Sequence, residues 1–490
     1  LARTDRRAHY QVTFGVLLIG VTAYALLQSL VLPVLPTIQH SLHTSQDAVT
    51  WVLTAYLLSA SVFTPILGRV GDMVGKERMF VVALSALALG SLLAAIAPSI
   101  GVMIIARAIQ GIGGGVLPLA FGIIRDEFPP EKIGGAIGIT AAITAVGGGF
   151  GIVLGGPIIE ALDYHWLFWI PMIMVIVAGV AAHVLIPESP VRTPGRINWV
   201  AAVLLSGWLI TLLVAVSEGP VWGWGSARVL GLFVATIVLS LAWVRVELRS
   251  RQPLIDMKMM RLRAVWTTNL VAFLFGLGLY SAFVFLPEFV QTPPSHGYGF
   301  GSSITQSGFF LLPLTALMFL GGLVCGRLAR RFGSRAVLIV GASVSVIPFV
   351  MLAAAHDQRW EIYVAMAILG GGFGLAFSAM SILIVDAVPA GQTGVASGMN
   401  ANIRTVGGAI GASIMASIVT SGVKAGALPK ESGYTHGFTV LAVGAALAAG
   451  AALIVPSIRR AAAAGRSPTD GPHAELAILA AGTLTGGESE

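Results

Sequence analysis

The chain alternates long, uniformly apolar runs with short polar connections. Fourteen runs of about 20 residues are long enough, as helices, to cross a ~30 Å hydrocarbon core. They fall near 13–36, 48–67, 79–97, 101–122, 134–158, 166–186, 198–217, 227–246, 265–287, 308–327, 337–355, 361–385, 394–422 and 437–457. The pattern predicts an all-α polytopic membrane protein and excludes a soluble enzyme.

The polar connections repeat. Gly68-Arg69-Val70-Gly71-Asp72-Met73-Val74-Gly75-Lys76-Glu77-Arg78 follows the second run, and Gly326-Arg327-Leu328-Ala329-Arg330-Arg331-Phe332-Gly333-Ser334-Arg335 follows the tenth. Asp126, Pro129, Gly134 and Gly138 are matched in spacing by Asp386, Pro389, Gly394 and Gly398. Two copies of one membrane-embedded unit imply pseudo-symmetric halves with a site between them, as in a transporter. The expected organisation is a cytoplasmic N-terminus (1–12), a six-helix bundle (13–186), an inserted two-helix segment with linkers (187–264), a second six-helix bundle (265–457) and a disordered cytoplasmic tail (458–490). The stretch from Gln291 to Ser307 reads equally as an ordered or a mobile outer loop.

Composition narrows the function. Only 10% of residues are charged and 56% are hydrophobic, against roughly 25% charged in a soluble domain. Sixty glycines suit close helix approach in a bilayer. The net charge of +7 is a topology signal, not a nucleic-acid footprint. Most Lys and Arg lie in connections on one side, which predicts a plasma (inner) membrane protein with both termini cytoplasmic. The first residues do not read as a cleavable signal. The single cysteine, Cys325, offers neither a disulfide nor a thiolate metal site. Glycine runs 111–115 and 370–374 lack the Lys-Ser/Thr of a phosphate loop. No cofactor and no metal site are expected, which leaves the proton gradient as the energy source.

These residues resemble the major facilitator superfamily, and within it the fourteen-helix drug:proton antiporter family, over about residues 12–457. Gly68, Asp72, Gly75 and Arg78 match the superfamily's loop motif. Arg107-Ala108-Ile109-Gln110-Gly111 matches its Arg-x-x-Gln-Gly motif, associated with proton coupling. Gly147, Gly151, Gly155 and Gly156 resemble the antiporter glycine motif, and Gly398 to Gly411 is similar to the eleventh core helix of drug exporters. The chain departs from the pattern at Leu27, where relatives carry an acid, at Ile152, where they carry proline, and at Pro171-Met172-Ile173, where they carry Asn-Val-Pro. The resemblance implies proton-coupled export of amphipathic drugs or antibiotic-like molecules by alternating access. The implied partners are a small-molecule substrate, protons and membrane lipids, with the chain a monomer. The departures keep open a symporter or facilitator for an endogenous solute or lipid-like molecule.

Candidate residues follow from placing polar groups in the runs. Arg107, roughly 10 Å inside its run, is either an electrostatic gate for a nearby acid or a structural arginine bonded to carbonyls. Arg404, near the midplane, is a candidate for substrate binding. Glu288 and Glu160 are candidate proton carriers. Asp72 is expected to cap a helix N-terminus and to pair with Arg78, locking the cytoplasmic side; Asp126 and Asp386 are candidates for similar work. Gly147, Gly151 and Gly155 share one helix face, which fits a tight crossing or a sliding seam. Gln28, Gln110, Asn400 and Tyr280 are candidate polar contacts in a cavity, with Trp51, Phe273 and Phe377 as its aromatic lining. Each of these also fits ordinary packing.

Overall fold

The structure, a computed structural model, describes residues 10–31, 34–188, 197–421 and 429–457. The expected tail and most of the N-terminal segment lie outside them. Among the described residues fourteen helices are long and apolar enough to cross a membrane. Spans 1–6 are Tyr10–Ser29, Trp51–Val74, Lys76–Ala95, Ile100–Glu127, Pro130–Ala161 and Trp166–Leu185. Spans 7 and 8 are Trp199–Trp222 and Ala227–Arg249. Spans 9–14 are Arg263–Gln291, Thr305–Phe332, Ser334–Ala354, Arg359–Ala387, Ala390–Val419 and Glu431–Ile454.

Local chemistry sets the helix ends. Span 1 stops at Ser29, short of the expected residue 36, and a separate short helix, Leu35–Ser41, starts with proline in its first turn. Proline costs least there, because its missing N–H would be unsatisfied anyway. Span 11 bends at Ser345, whose hydroxyl donates to Gly341 O at 2.7 Å, a back-bond that bends helices. Spans 2 and 10 both end at a glycine with positive φ, Gly75 at 139° and Gly333 at 86°. A side chain is strained in that conformation, so the two repeated loops turn by the same device.

The repeat is also visible in contacts between the halves. A Cβ on Gly68 would lie 2.5 Å from Gly394 O, and one on Gly326 would lie 2.7 Å from Gly135 Cα. Gly398 backs onto Thr64 just as Gly138 backs onto Gly322. Each signature loop thus begins where its helix touches the opposite bundle. Lipid cannot drive helices together by the hydrophobic effect, so small residues that bring backbones close supply the attraction.

Spans 7 and 8 form a hairpin held by a Thr236–Thr211 hydroxyl bond of 2.9 Å and by the Trp208–Trp243 ring pair. Span 7 lies along the seam of spans 2 and 13. Leu205, Leu209 and Leu213 share a core with Val395, Met399 and Val406, against which Leu58 and Ile66 pack. Ser413 donates to Val216 O at 2.8 Å, and Trp224 Nε1 donates to Ser417 Oγ at 2.9 Å. Most of span 8 faces outward. The stretch from Gln291 to Ser307 is ordered: Tyr298 donates to Pro429 O at 2.6 Å and Phe300 N–H to Val290 O at 3.2 Å.

Candidate functional site

Two ends and a centre matter. At one end Asp72 is fully buried. Its Oδ2 accepts the N–H of Val395, in the first turn of the helix of span 13, at 3.2 Å. Its Oδ1 lies 3.9 Å from Lys76 Nζ, which donates to Asp126 Oδ2 at 2.6 Å. An acid at a helix N-terminus meets the positive end of the helix dipole. The expected cap is therefore present, but on a helix of the other bundle. The expected Asp72–Arg78 pair is not: Arg78 sits on the far side of the Gly75 turn and pairs with Glu188 at 3.2 Å. Asp126 joins the cluster through Lys76, whereas Asp386 borders an open cleft beside Arg330 and Arg335.

A second clasp beside it was not anticipated. Arg125 donates to Val385 O at 2.8 Å and to Thr393 Oγ1 at 2.7 Å. Its place three residues before Phe128, at the end of a span, looks like ordinary interfacial charge, and nothing in the sequence separates it from such a residue.

Spans 5 and 10 form a seam along their length. Gly135, Ala142, Gly149 and Gly156 recur every seven residues and meet Gly326, Gly322, Thr315 and Thr305. Gly147 and Gly151 point elsewhere, at Ala25 and Ser29 of span 1 in the same bundle; Gly155 is buried. The expected sliding face is thus an internal crossing at Gly147 and Gly151, and the heptad of small residues beside it carries the inter-bundle contact. Glu160 closes the far end of this seam, accepting the Thr305 hydroxyl at 2.8 Å. Glu288 lies near that end too, but it faces Tyr434 of its own bundle.

Between the ends lies a cavity of about 220 Å³. Gln28, Tyr56 and Arg107 border it from the first bundle, and Tyr280, Phe377 and Arg404 from the second. Gln28 donates to Tyr280 Oη at 3.2 Å, closing the bundles over one edge. Smaller voids of about 40 and 10 Å³ adjoin it, and Arg404 borders all three. Among the described residues the lining contains no carboxylate.

The two arginines differ. Arg107 is fully buried and tied down. Its Nε donates to Val52 O at 3.1 Å, and Nη1 donates to Leu27 O at 3.1 Å and to Gln110 Oε1 at 2.7 Å; the group lies 4.3 Å over the Tyr56 ring. Of the two readings for Arg107, the geometry is that of an arginine bonded to carbonyls. One of those carbonyls belongs to Leu27, the position at which the chain departs from the resembled pattern. Arg404 stacks 4.8 Å over Phe377 and is half-buried.

Of the expected lining, Gln28, Tyr280, Phe377 and Arg404 come together. Gln110 lies behind Arg107, donating to Ser91 at 2.9 Å. Asn400 borders only the smallest void and donates to Asn269 at 2.9 Å. Trp51 and Phe273 lie off the cavity, and Phe273 packs against the core beneath span 7. Tyr56, Phe283, Thr144 and Ser381 line it without having been anticipated. Phe377 with Ser381, and Tyr280 with Phe283, are one helical turn apart, a spacing that would have pointed to the lining faces. A separate group, His356, Asp357 and Glu431, gathers near Glu288, with ligand-type atoms within 4.8 Å of one another. His356 Nε2 is 3.0 Å from Glu431 Oε1, which ties the connection after span 11 to the start of span 14.

Comparison with known proteins agrees with this architecture. Residues 17–412 match the Major Facilitator Superfamily. The chain is 30% identical over 402 residues to multidrug resistance protein 3 of Bacillus subtilis, covering 81% of this chain and 77% of that protein. It is 28% identical over 397 residues to the tetracenomycin C resistance and export protein of Streptomyces glaucescens, covering 80% and 73%. Among solved structures, the human organic anion transporter MFSD10 superposes with a TM-score of 0.65 at 17% identity, covering 90% of this chain and 99% of that one. The proton:xylose symporter XylE gives 0.64 at 13% identity, covering 92% and 96%. At such identities the structures speak for the fold alone. With its fourteen spans, its clasped bundles and these relatives, the chain is a transporter that belongs to the Major Facilitator Superfamily.

Proposed function

We propose that this transporter exports amphipathic small molecules in exchange for protons, by alternating access of its two six-helix bundles. One observation carries the reading: a largely apolar cavity at the bundle interface, clasped at one end by Asp72 and Arg125. The relatives named for multidrug resistance and for tetracenomycin C resistance and export support both the direction and the class of cargo. The Lys and Arg bias supports a plasma membrane location with the Asp72 end and both termini in the cytoplasm. In that orientation the clasp faces the cytoplasm.

Proton coupling is assigned to the carboxylates that cross the interface. Asp72 reaches Val395 at one end, and Glu160 reaches Thr305 at the other. A proton on either removes the charge that strengthens its bond, so protonation and opening are linked at both ends. Glu288, within one bundle, is not given this role. The protein works as a monomer among lipids, with the proton gradient as its energy source and no cofactor.

The test is proton movement in proteoliposomes under an imposed pH gradient, on addition of a panel of lipophilic compounds. Substrate-dependent proton flux opposite to substrate movement is expected. Substrate movement without proton flux would favour a facilitator, a reading that Leu27 and the carboxylate-free lining also fit.

A further inference from the structure

A cation held in the membrane interior without a counter-charge is costly, and such residues mark substrate or ion paths. Among the described residues, the central cavity borders on two cations and no carboxylate. Arg107 is largely satisfied: carbonyls of spans 1 and 2 and the Gln110 amide oxygen take its Nε and Nη1, and of its nitrogens Nη2 alone is left without a partner. Arg404 is not satisfied. One face of its guanidinium lies on Phe377, and among the described residues no protein acceptor takes any of its N–H groups. It is half-buried, and it borders the central cavity and both adjoining voids. A stacked guanidinium keeps its edge free, and that edge matches a carboxylate in a bidentate fork.

We propose that the cargo is an amphipathic organic anion, its carboxylate or similar group seated on Arg404 and its flat apolar body lying against Phe377, Tyr280 and Phe283. This rests on the export reading only in taking the central cavity as the cargo site. The anion supplies the counter-charge that the lining lacks. Arg107 acts as a positioning residue, holding span 1 to span 2 and adding positive potential from behind. A cationic cargo would meet two like charges in a low-dielectric cavity, so the lining selects against it.

Three probes of one shape separate the possibilities: 1-naphthoate, 1-naphthamide and 1-naphthylmethylammonium. Their equilibrium binding to purified full-length protein is measured by dialysis with radiolabelled compounds. The wild type is expected to bind the naphthoate about tenfold or more tighter than the amide, the scale of a hydrogen bond to a charged group, and the ammonium least. Arg404→Gln is expected to abolish the preference, and Arg404→Lys, which keeps the charge but not the fork, to retain part of it. Should Arg404→Gln fail to fold, the lysine variant and the three-probe ranking decide. Equal binding of the three probes, tighter binding of the ammonium, or no saturable naphthoate binding would overturn the proposal. Export of lipophilic compounds with no preference for anions sinks this inference and leaves the export reading standing. Naphthoate binding without any export does the reverse.

Discussion

Asp72 and Val395, 323 positions apart, are joined by a bond in which a buried carboxylate accepts a helix N-terminal N–H at 3.2 Å. The bond crosses from one bundle to the other, and Gly68 and Gly394 make room for it by meeting backbone to backbone. Closure at this end therefore depends on a charge and on the absence of two side chains. Asp72→Asn keeps the shape and removes the charge. We expect transport to fall about tenfold, the scale of one charge-assisted hydrogen bond, with the clasp shifted toward open. A spin-label pair across spans 2 and 13 reads this directly, and an unchanged distance distribution would refute it.

The heptad seam gives a prediction with a built-in rescue. A Cβ on Gly149 would overlap Thr315 Cγ2, whereas Thr315 Oγ1 stands clear at 3.8 Å. Gly149→Ala should hold the bundles apart and lower transport about tenfold or more, since overpacking typically costs 1–3 kcal/mol. Adding Thr315→Ser removes the obstructing methyl and should restore most of the activity. Gly147→Ala is expected to lower thermal stability and to be untouched by Thr315→Ser, because Gly147 faces Ala25 of its own bundle. Rescue of both variants by the one serine would place both glycines on the same seam.

The sequence makes the spans legible because lipid demands long apolar helices whatever they pack against. The repeat also marks Gly68 with Gly326 and Gly134 with Gly394 as equivalent positions, but that Gly68 meets Gly394 across the halves comes from the packing alone. The sequence does not reveal which face of a glycine-rich helix points where. Gly147 and Gly149 are near neighbours of one residue type, and only the packing of span 5 between spans 1 and 10 tells them apart. Asp72 is a similar case: a local motif suggests a local partner, Arg78, while the carboxylate finds Lys76 and a helix end far along the chain. Arg125 has no local signature at all.

Glu160→Gln tests the other end. The amide still accepts from Thr305, so the bond keeps its geometry and loses its charge. Substrate exchange across liposomes at equal pH should persist within about threefold, because a neutral hydrogen bond here is worth only ~1 kcal/mol. Acceleration by an imposed proton gradient should weaken or vanish. Thr305→Ala, which leaves the carboxylate without its partner, should impair closure yet keep the response to the gradient. Full gradient acceleration in Glu160→Gln would remove this residue from the coupling scheme.

Glu247 separates stability from transport. It is buried at the end of span 8, where its two carboxylate oxygens accept the N–H groups of Leu254 at 2.9 Å and Ile255 at 3.1 Å. The carboxylate thus pins the linker between the inserted hairpin and the second bundle. Glu247→Ala leaves two buried donors unmatched, at a cost of about 2–4 kcal/mol. The melting temperature in detergent should fall by several degrees, and less for Glu247→Gln, which keeps one acceptor. Because span 7 lies along the seam of spans 2 and 13 without lining the cavity, naphthoate affinity measured below the melting transition should stay within about twofold of wild type. A larger loss of affinity at full folding would mean that the hairpin shapes the cavity as well as covering the seam.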